Sequence, residues 1–163
     1  MNIRKKEKGF TIIEVVLVLA IAGLIFLMVF IALPALQRSQ RDTQRKDDLS
    51  RMLTKLNDYT TNNRGGIPAT LDTAIGGGGK SFVQNYLGGI SLNTPGTDYQ
   101  DPQAGSYTVA AGPAPSAKVI GNVYYNYKFI CDVDGAVKTG SSRQYALQMF
   151  LEGQDTPYCV DNH

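Results

Sequence analysis

The chain has 163 residues, enough for one modest domain but not for two. Its formal net charge of +2 is concentrated at one end, because four basic residues and one acid give the first nine residues a charge of +3. The remainder therefore lacks the excess of positive charge that a nucleic-acid-binding domain uses.

The first predicted element is an apolar helix. No charged residue occurs between Val15 and Leu36, and nearly every side chain in these 22 residues is apolar. About 20 such residues suffice to cross a bilayer as a helix. A cleaved secretory signal has a shorter apolar region and then small residues, whereas the best cleavage candidate here, at 33–35, contains Leu and Pro. We therefore expect the segment to persist in the mature protein.

A short motif opens the apolar run. Residues 8–14 read Lys-Gly-Phe-Thr-Ile-Ile-Glu and follow directly on the basic leader. Together with the apolar run, this motif resembles the type IV prepilin signature, Gly-Phe-Thr-x-x-Glu followed by an unbroken hydrophobic helix. The resemblance implies that a membrane-embedded prepilin peptidase cuts after Gly9. It also implies that the same enzyme N-methylates the new first residue, Phe10.

Glu14 is a carboxylate at the start of a membrane helix, where a charge costs up to ~3 kcal/mol. One interpretation places it near the membrane interface, with its side chain reaching water. The other is implied by the resemblance: an ion pair with the Phe10 amine of a neighbouring subunit, which would set the axial register of a filament. Among packed apolar helices such a pair would be poorly screened.

Two residues interrupt the apolar helix. Gly23 lowers helix propensity, and Pro34 removes a backbone hydrogen-bond donor. Both residues are also common in ordinary membrane helices. In pilins a stretch of this helix often loses regularity within the filament, and the resemblance therefore points to the stretch from Gly23 to Pro34.

The same helix is predicted to continue as an amphipathic helix. Apolar side chains recur at positions 49, 52, 53 and 56, and Tyr59 extends this face. We expect the helix to run from Phe10 to about Asn62, with its second half packed on the head. The mixed charges before this face are interpreted as a solvated surface, with a partner site and a membrane-surface segment as alternatives. Pairs four residues apart can support it, namely Arg38–Asp42, Asp42–Lys46 and Asp47–Arg51.

The rest of the chain is predicted to form a small β-sheet head. The stretch 67–116 is rich in Gly, Pro, Ala, Ser and Thr, which indicates loops with one short helix near 80–87. Strands are predicted at 122–131 and 143–152, the second half-buried, with a turn at Asp134-Gly135 and a further strand near 107–109. An antiparallel sheet on the end of a long N-terminal helix is the pilin fold, an α+β architecture.

The two cysteines, Cys131 and Cys159, both lie in the last third of the chain. They are either two reduced, buried thiols or a disulfide. A membrane segment precedes them and the head is small, which favours an extracytoplasmic disulfide. Such a bridge would stabilise the head by roughly 3–4 kcal/mol.

Two other motifs carry little weight. Gly79-Lys80-Ser81 looks like the end of a phosphate-binding loop, but the first glycine of that motif would fall on Ala74. Residues 132–135, Asp-Val-Asp-Gly, hint at a calcium loop but lack the ligands at the first and twelfth positions, although a looser calcium site stays open. We expect no catalytic residues, no metal site and no cofactor, hence a protein that is not an enzyme.

These observations predict a leader at residues 1–9, an assembly helix at 10–62 and a globular head at 63–163 with a C-terminal disulfide loop. The function implied by the resemblance is that of a structural subunit of a type IV pilus serving adhesion, twitching motility or DNA uptake. Its partners would be other copies of the chain, a prepilin peptidase and the assembly machinery, with DNA possible. The precursor would lie in the cytoplasmic membrane and the mature subunit in a surface filament. The alternatives are a pseudopilin of a type II secretion or competence system, and an anchored binding module that never polymerises.

Overall fold

The computed structural model describes residues 9–72, 81–89 and 91–163. Helix α1 runs over Ile12–Asn62, close to the predicted bounds. The chain divides into two compact units after Gln37, so that the first part of α1 belongs to one unit and its second part to the other. The α+β pilin-type fold predicted from the sequence is confirmed.

The second part of α1 supplies one wall of the core of residues 38–163. Leu49, Met52 and Leu56 are 2 % exposed or less, because their spacing places them on one helical face. They pack in one cluster with Tyr125 and Leu147 from the sheet. Burial of each such side chain contributes about 1.5–3 kcal/mol. The predicted amphipathic face is therefore the face that holds the helix on the head.

The described part of the head contains eight short strands in three sheets. The main sheet has four strands in the order β3-β4-β7-β8, and the pairs β1–β2 and β5–β6 form two small hairpins. The strands are β1 Gln100–Asp101, β2 Gly105–Ser106, β3 Thr108–Ala111, β4 Asn122–Tyr127, β5 Phe129–Cys131, β6 Val137–Thr139, β7 Tyr145–Met149 and β8 Tyr158–Asp161.

The sheet differs from the prediction in two respects. It is mixed rather than wholly antiparallel, because β3 runs parallel to β4. The single strand predicted at 122–131 is two strands, since Lys128 has a φ of 65° and turns the chain out of the main sheet. After that residue β5 pairs with β6 instead of continuing along β7. The apolar and aromatic run in the sequence predicts an extended chain, but it does not show where that chain changes the strand with which it pairs.

Strand β7 was predicted to be half-buried, and this is wrong, because all five of its residues are buried. One face packs toward α1 through Leu147. The other face is covered by loops that bond to Gln148: its side-chain oxygen accepts from the Ala114 amide, and its side-chain nitrogen donates to the Gly135 carbonyl. The alternation of apolar and polar residues in the sequence therefore reflects two buried faces of the strand, one apolar and one polar, rather than one buried and one exposed face.

The predicted turn and disulfide are both present. The turn Val133–Gly135 connects β5 to β6. Gly135 has a φ of 72°, and a side chain there would collide with the Pro157 carbonyl. Cys131 and Cys159 form a disulfide between β5 and β8. The bridge joins one small hairpin to the edge strand of the main sheet.

The predicted short helix is helix α2, Phe82–Tyr86, shorter than the range 80–87. Ser81 caps it: its hydroxyl accepts from the Gln84 amide, and the Gln84 side chain accepts from the Ser81 amide. The rest of the motif that looked like a phosphate-binding loop, Gly79-Lys80, lies outside the described residues.

Candidate functional site

The start of α1 is closed by a capping box. Thr11 precedes the first helical residue, and its amide and hydroxyl both donate to Glu14 Oε2, at 2.9 and 2.8 Å. The Glu14 amide is 3.4 Å from the Thr11 hydroxyl oxygen. Threonine followed three residues later by glutamate is the pattern that satisfies the free amides at a helix start. The Thr-x-x-Glu part of the motif therefore has a local structural role that the sequence argument had not considered.

The cap uses one of the two carboxylate oxygens of Glu14. Both bonds from Thr11 go to Oε2, and no donor in the described chain reaches Oε1. The side chain lines a shallow cavity of about 200 Å³ together with Phe10, Val15, Val18 and Leu19. Phe10 itself is 89 % exposed. The capping bonds hold the carboxylate beside an apolar recess one helical turn from the predicted cleavage point.

The apolar half of α1 carries its hydrophobic side chains on the outside. Its most apolar 18-residue window has a mean hydropathy of 3.2 with none of it buried, so by length and composition the helix can cross a membrane. Side chains on every side are exposed, for example Ile12, Leu19 and Phe26 at 64–84 %. An apolar surface of this extent is stable only in lipid or against other apolar helices.

The predicted points of flexibility lie within continuous helix. Helix α1 passes through both Gly23 and Pro34 without a break. A side chain at Gly23 would meet no atom within 4 Å, so packing within this chain does not require a glycine there. Loss of helical regularity in the stretch from Gly23 to Pro34 would be a property of the assembled state, and it stays a prediction.

Comparison with protein families gives one match. The family described as the prokaryotic N-terminal methylation motif matches residues 4–30. The N-terminus is that of a type IV pilin-like prepilin. Among curated proteins and among solved structures, neither comparison finds a significant match to this chain. The assignment of the N-terminal segment therefore depends on the motif and the apolar helix. The description of the head depends on the structure alone.

Within the prepilin segment the residues singled out from the sequence lie together. Gly9, Phe10 and Glu14 fall on one short stretch at the helix start, and all three are exposed. No atom of the described residues lies within 4 Å of the position of a Gly9 side chain, so packing in this part of the chain does not require glycine there. That freedom is consistent with a glycine kept for recognition by a processing enzyme.

Sequence reasoning missed a buried ionic cluster in the head, here called the Arg45 cluster: Arg41, Asp42, Arg45, Asp101 and Glu152. Arg45 is fully buried; its Nε lies 2.5 Å from Asp101 Oδ2 and its Nη1 lies 2.7 Å from Glu152 Oε1. Asp42 Oδ1 accepts from both Arg45 and the Glu152 amide. The charges interpreted as a solvated surface are thus partly an internal network.

The helix pairs predicted at a spacing of four are also wrong. In the described part of the chain Asp42 pairs with Arg45 and Asp48 with Arg51, each three residues apart. Asp48 is 3 % exposed and accepts from the Tyr107 hydroxyl. No local signal could reveal the cluster, because Asp101 lies 56 residues from its partner Arg45.

The Arg45 cluster lowers the pKa of two of its carboxyl groups. Hydrogen bonds from Arg41 and then Arg45 lower the pKa of Glu152 to about 2, against its desolvation. Burial acts to raise the pKa of Asp101, but bonds from Arg45 and the amides of Ala104 and Gln103 together lower it. Both groups stay ionised in mildly acidic solution and tie the helix to the chain after it.

We expect the head to lose stability in acid partly through Glu152. Its pKa in the fold is lowered to about 2, whereas an unperturbed glutamate has about 4.3. Its contribution is therefore complete above the unfolded-state pKa and is lost as the pH falls toward about 2. The urea midpoint, followed by near-UV circular dichroism in detergent, should fall between about pH 5 and pH 2.5.

The matched variant for this test is Glu152→Gln, which keeps an acceptor for the arginines but cannot titrate. Its midpoint should fall less over the same interval. Asp48, whose pKa is raised by its burial, acts in the opposite direction in both proteins. An equal fall in both proteins would contradict the assignment to Glu152.

In the described residues no group of three or more His, Cys, Asp or Glu side chains is placed to hold a metal ion. Asp132 of the suggested calcium loop pairs with Lys138 at 3.1 Å.

Proposed function

We propose that this protein is a structural subunit of a type IV pilus-like filament, processed from a membrane-inserted precursor. Residues 1–9 are the leader, residues 10–62 the membrane and assembly helix, and residues 63–163 the exposed head. A prepilin peptidase cuts after Gly9 and methylates the amine of Phe10. The processed subunit leaves the membrane by packing its apolar helix against copies of itself.

The observation that supports this proposal is that the methylation motif and the exposed apolar surface occur on the same helix. The methylation motif at 4–30 opens a helix whose most apolar 18-residue window has none of its residues buried. A membrane covers that surface in the precursor, and other copies of the helix cover it in a filament. An anchor that merely spans a membrane requires neither the motif nor a carboxylate at its start.

Glu14 is assigned the role of setting register. Its Oε2 caps its own helix through Thr11, and its Oε1 accepts from the amine of Phe10 in a neighbouring copy. The capping bonds fix the side-chain direction, so the carboxylate is already oriented when the neighbour arrives. Inside a bundle of apolar helices that ion pair would be one of the few directional contacts.

The test is mass spectrometry of the protein in material sheared from the cell surface. A chain beginning at Phe10 with one added methyl group is expected. A chain that retains Met1 and occurs only in the membrane fraction would contradict the filament and support a non-polymerising anchored module. A processed chain confined to short periplasmic filaments would support a pseudopilin. Whether a surface filament serves adhesion, motility or DNA uptake would then be decided by assays of each.

A further inference from the structure

Two arginines at the C-terminal end of α1 have no acidic partner among the described residues. Arg64 and Arg143 are exposed and line one open cavity of about 260 Å³, with Thr60 and Asn162 beside them. Arg41, Arg45 and Arg51 each lie within 4 Å of a carboxylate. No acidic residue in the described ranges comes that close to Arg64 or Arg143. We call this surface the basic end.

Arg64 also occupies an unusual backbone position. The Gly65 amide donates to the Thr60 carbonyl at 2.7 Å, which closes the helix in the arrangement where the preceding residue adopts a left-handed conformation. That residue is Arg64, with a φ of 55°. Glycine is the usual residue at this position, yet here the two glycines, Gly65 and Gly66, follow it. The end of the helix therefore carries an exposed arginine at a position where an uncharged glycine would fit equally well.

A second, acidic surface lies on the other side of the sheet. An open groove of about 390 Å³ is lined by Asp134 and Asp155, with Gln148 and Phe150 among its other residues. Asp134 is exposed and has no basic residue within 4 Å in the described chain. The Asp155 side chain is fully exposed. We call this surface the acidic groove.

Within the described residues one cation, Lys118, lies within 4 Å of the Asp155 carboxylate. Lys118 Nζ lies 3.8 Å from the carboxylate, but it donates to the carbonyl oxygens of Glu152 and Gln154 at 3.0 and 2.6 Å. Lys118 therefore holds the loop that carries Asp155 and offsets part of the charge of that carboxylate, so the unpaired negative charge of the groove is mainly that of Asp134. Asp132 pairs with Lys138 and adds no net charge.

We propose that the basic end of one copy docks in the acidic groove of the next copy, with Arg64 and Arg143 facing Asp134 and Asp155. This proposal rests on the filament proposed above. The two surfaces are complementary in charge and lie at different places on the same unit. The basic end adjoins the last turns of α1, where the Tyr145 hydroxyl donates to Asn57. Gln148 lines the groove and lies on the face of β7 opposite to Leu147, which packs toward α1. Contact between two different surfaces of identical chains produces open helical assemblies.

The chemistry suits arginine. Its planar guanidinium donates two parallel bonds to a carboxylate, which fixes orientation as well as distance. Exposed ion pairs contribute little to affinity by themselves. Complementary charge instead fixes register and rejects wrong alignments, while the apolar helices supply most of the affinity.

Charge reversal tests the contact. Arg64→Glu combined with Arg143→Glu should reduce sheared filament by about ten-fold or more, because like charges then face each other. Asp134→Arg combined with Asp155→Arg should do the same, and all four changes together should restore most of the yield. The matched control is Asp98→Arg, an exposed aspartate of the head outside both surfaces, which should leave the yield unchanged. Equal precursor levels in the membrane check that each variant folds.

Cross-linking provides a second measurement that does not depend on yield. Both native cysteines are joined to each other, so Arg64→Cys with Asp134→Cys adds the two reactive thiols. A short bis-maleimide applied to filaments should produce a ladder of dimers, trimers and higher species, and neither single variant should do so. Wild-type yield from the reversed variants, or filaments without a ladder, would overturn the contact alone. Failure of the unaltered chain to form filaments would overturn the proposed function and this contact with it.

Discussion

Replacing Arg45 by alanine is expected to lower the free energy of unfolding by about 3–5 kcal/mol. The guanidinium is fully buried, and its removal leaves Asp101, also fully buried, without its cation. A buried charge that has lost its partner cannot recover its hydration, and this cost exceeds the net contribution of the intact pair. The measurement is urea unfolding of the full chain in detergent, followed by near-UV circular dichroism.

Two further variants separate charge from packing in this test. Arg45→Met with Asp101→Asn removes both charges, while the asparagine oxygen can still accept from the Gln103 and Ala104 amides, as Asp101 does. It should recover part of the lost stability. Lys55→Ala removes an exposed cation 3.7 Å from Asp58 and should cost about 0.5 kcal/mol or less. A loss from Arg45→Ala no larger than that of Lys55→Ala would show that Arg45 is not the centre of the cluster.

Replacing Glu14 by leucine is expected to abolish surface filaments while leaving the precursor in the membrane. Leucine has a favourable free energy of transfer into the bilayer, so membrane insertion of the precursor should improve rather than fail. Cleavage after Gly9 should continue, because the residues at the cleavage point are unchanged. The carboxylate that would pair with the neighbouring Phe10 amine is gone, and the register of packed apolar helices loses its directional contact. Mass spectrometry of the membrane fraction and of sheared material measures both effects.

The capping box requires its own control. Glu14→Gln keeps the acceptor for the Thr11 amide but carries no charge, so a filament defect in this variant isolates the ion pair from the cap. Thr11→Ala removes the hydroxyl donor and keeps the charge, and it should affect filaments less than either change at Glu14. Filaments at wild-type level from Glu14→Gln would contradict the pairing and leave Glu14 with the capping role alone.

The sequence by itself determined the features that depend on neighbouring residues. The bounds of α1, its apolar half and its buried face all follow from a helical period that repeats along the chain. The methylation motif is likewise a contiguous stretch at 4–30. The disulfide could be predicted because the sequence contains two cysteines, which have only each other as partners within the chain. In each case the sequence pattern and the structure that it predicts lie within one segment, or the sequence permits a single pairing.

Only the tertiary structure decided the features that depend on distant residues. Strand direction in β3, the change of partner at Lys128 and the burial of both faces of β7 depend on which segments the turns bring together. The Arg45 cluster joins helix residues to Asp101 and Glu152, more than 50 residues away. From the sequence alone a charged side chain is predicted to be exposed to solvent, because most charged side chains are. Whether it is buried is set by the positions of its counterions, which no local period encodes.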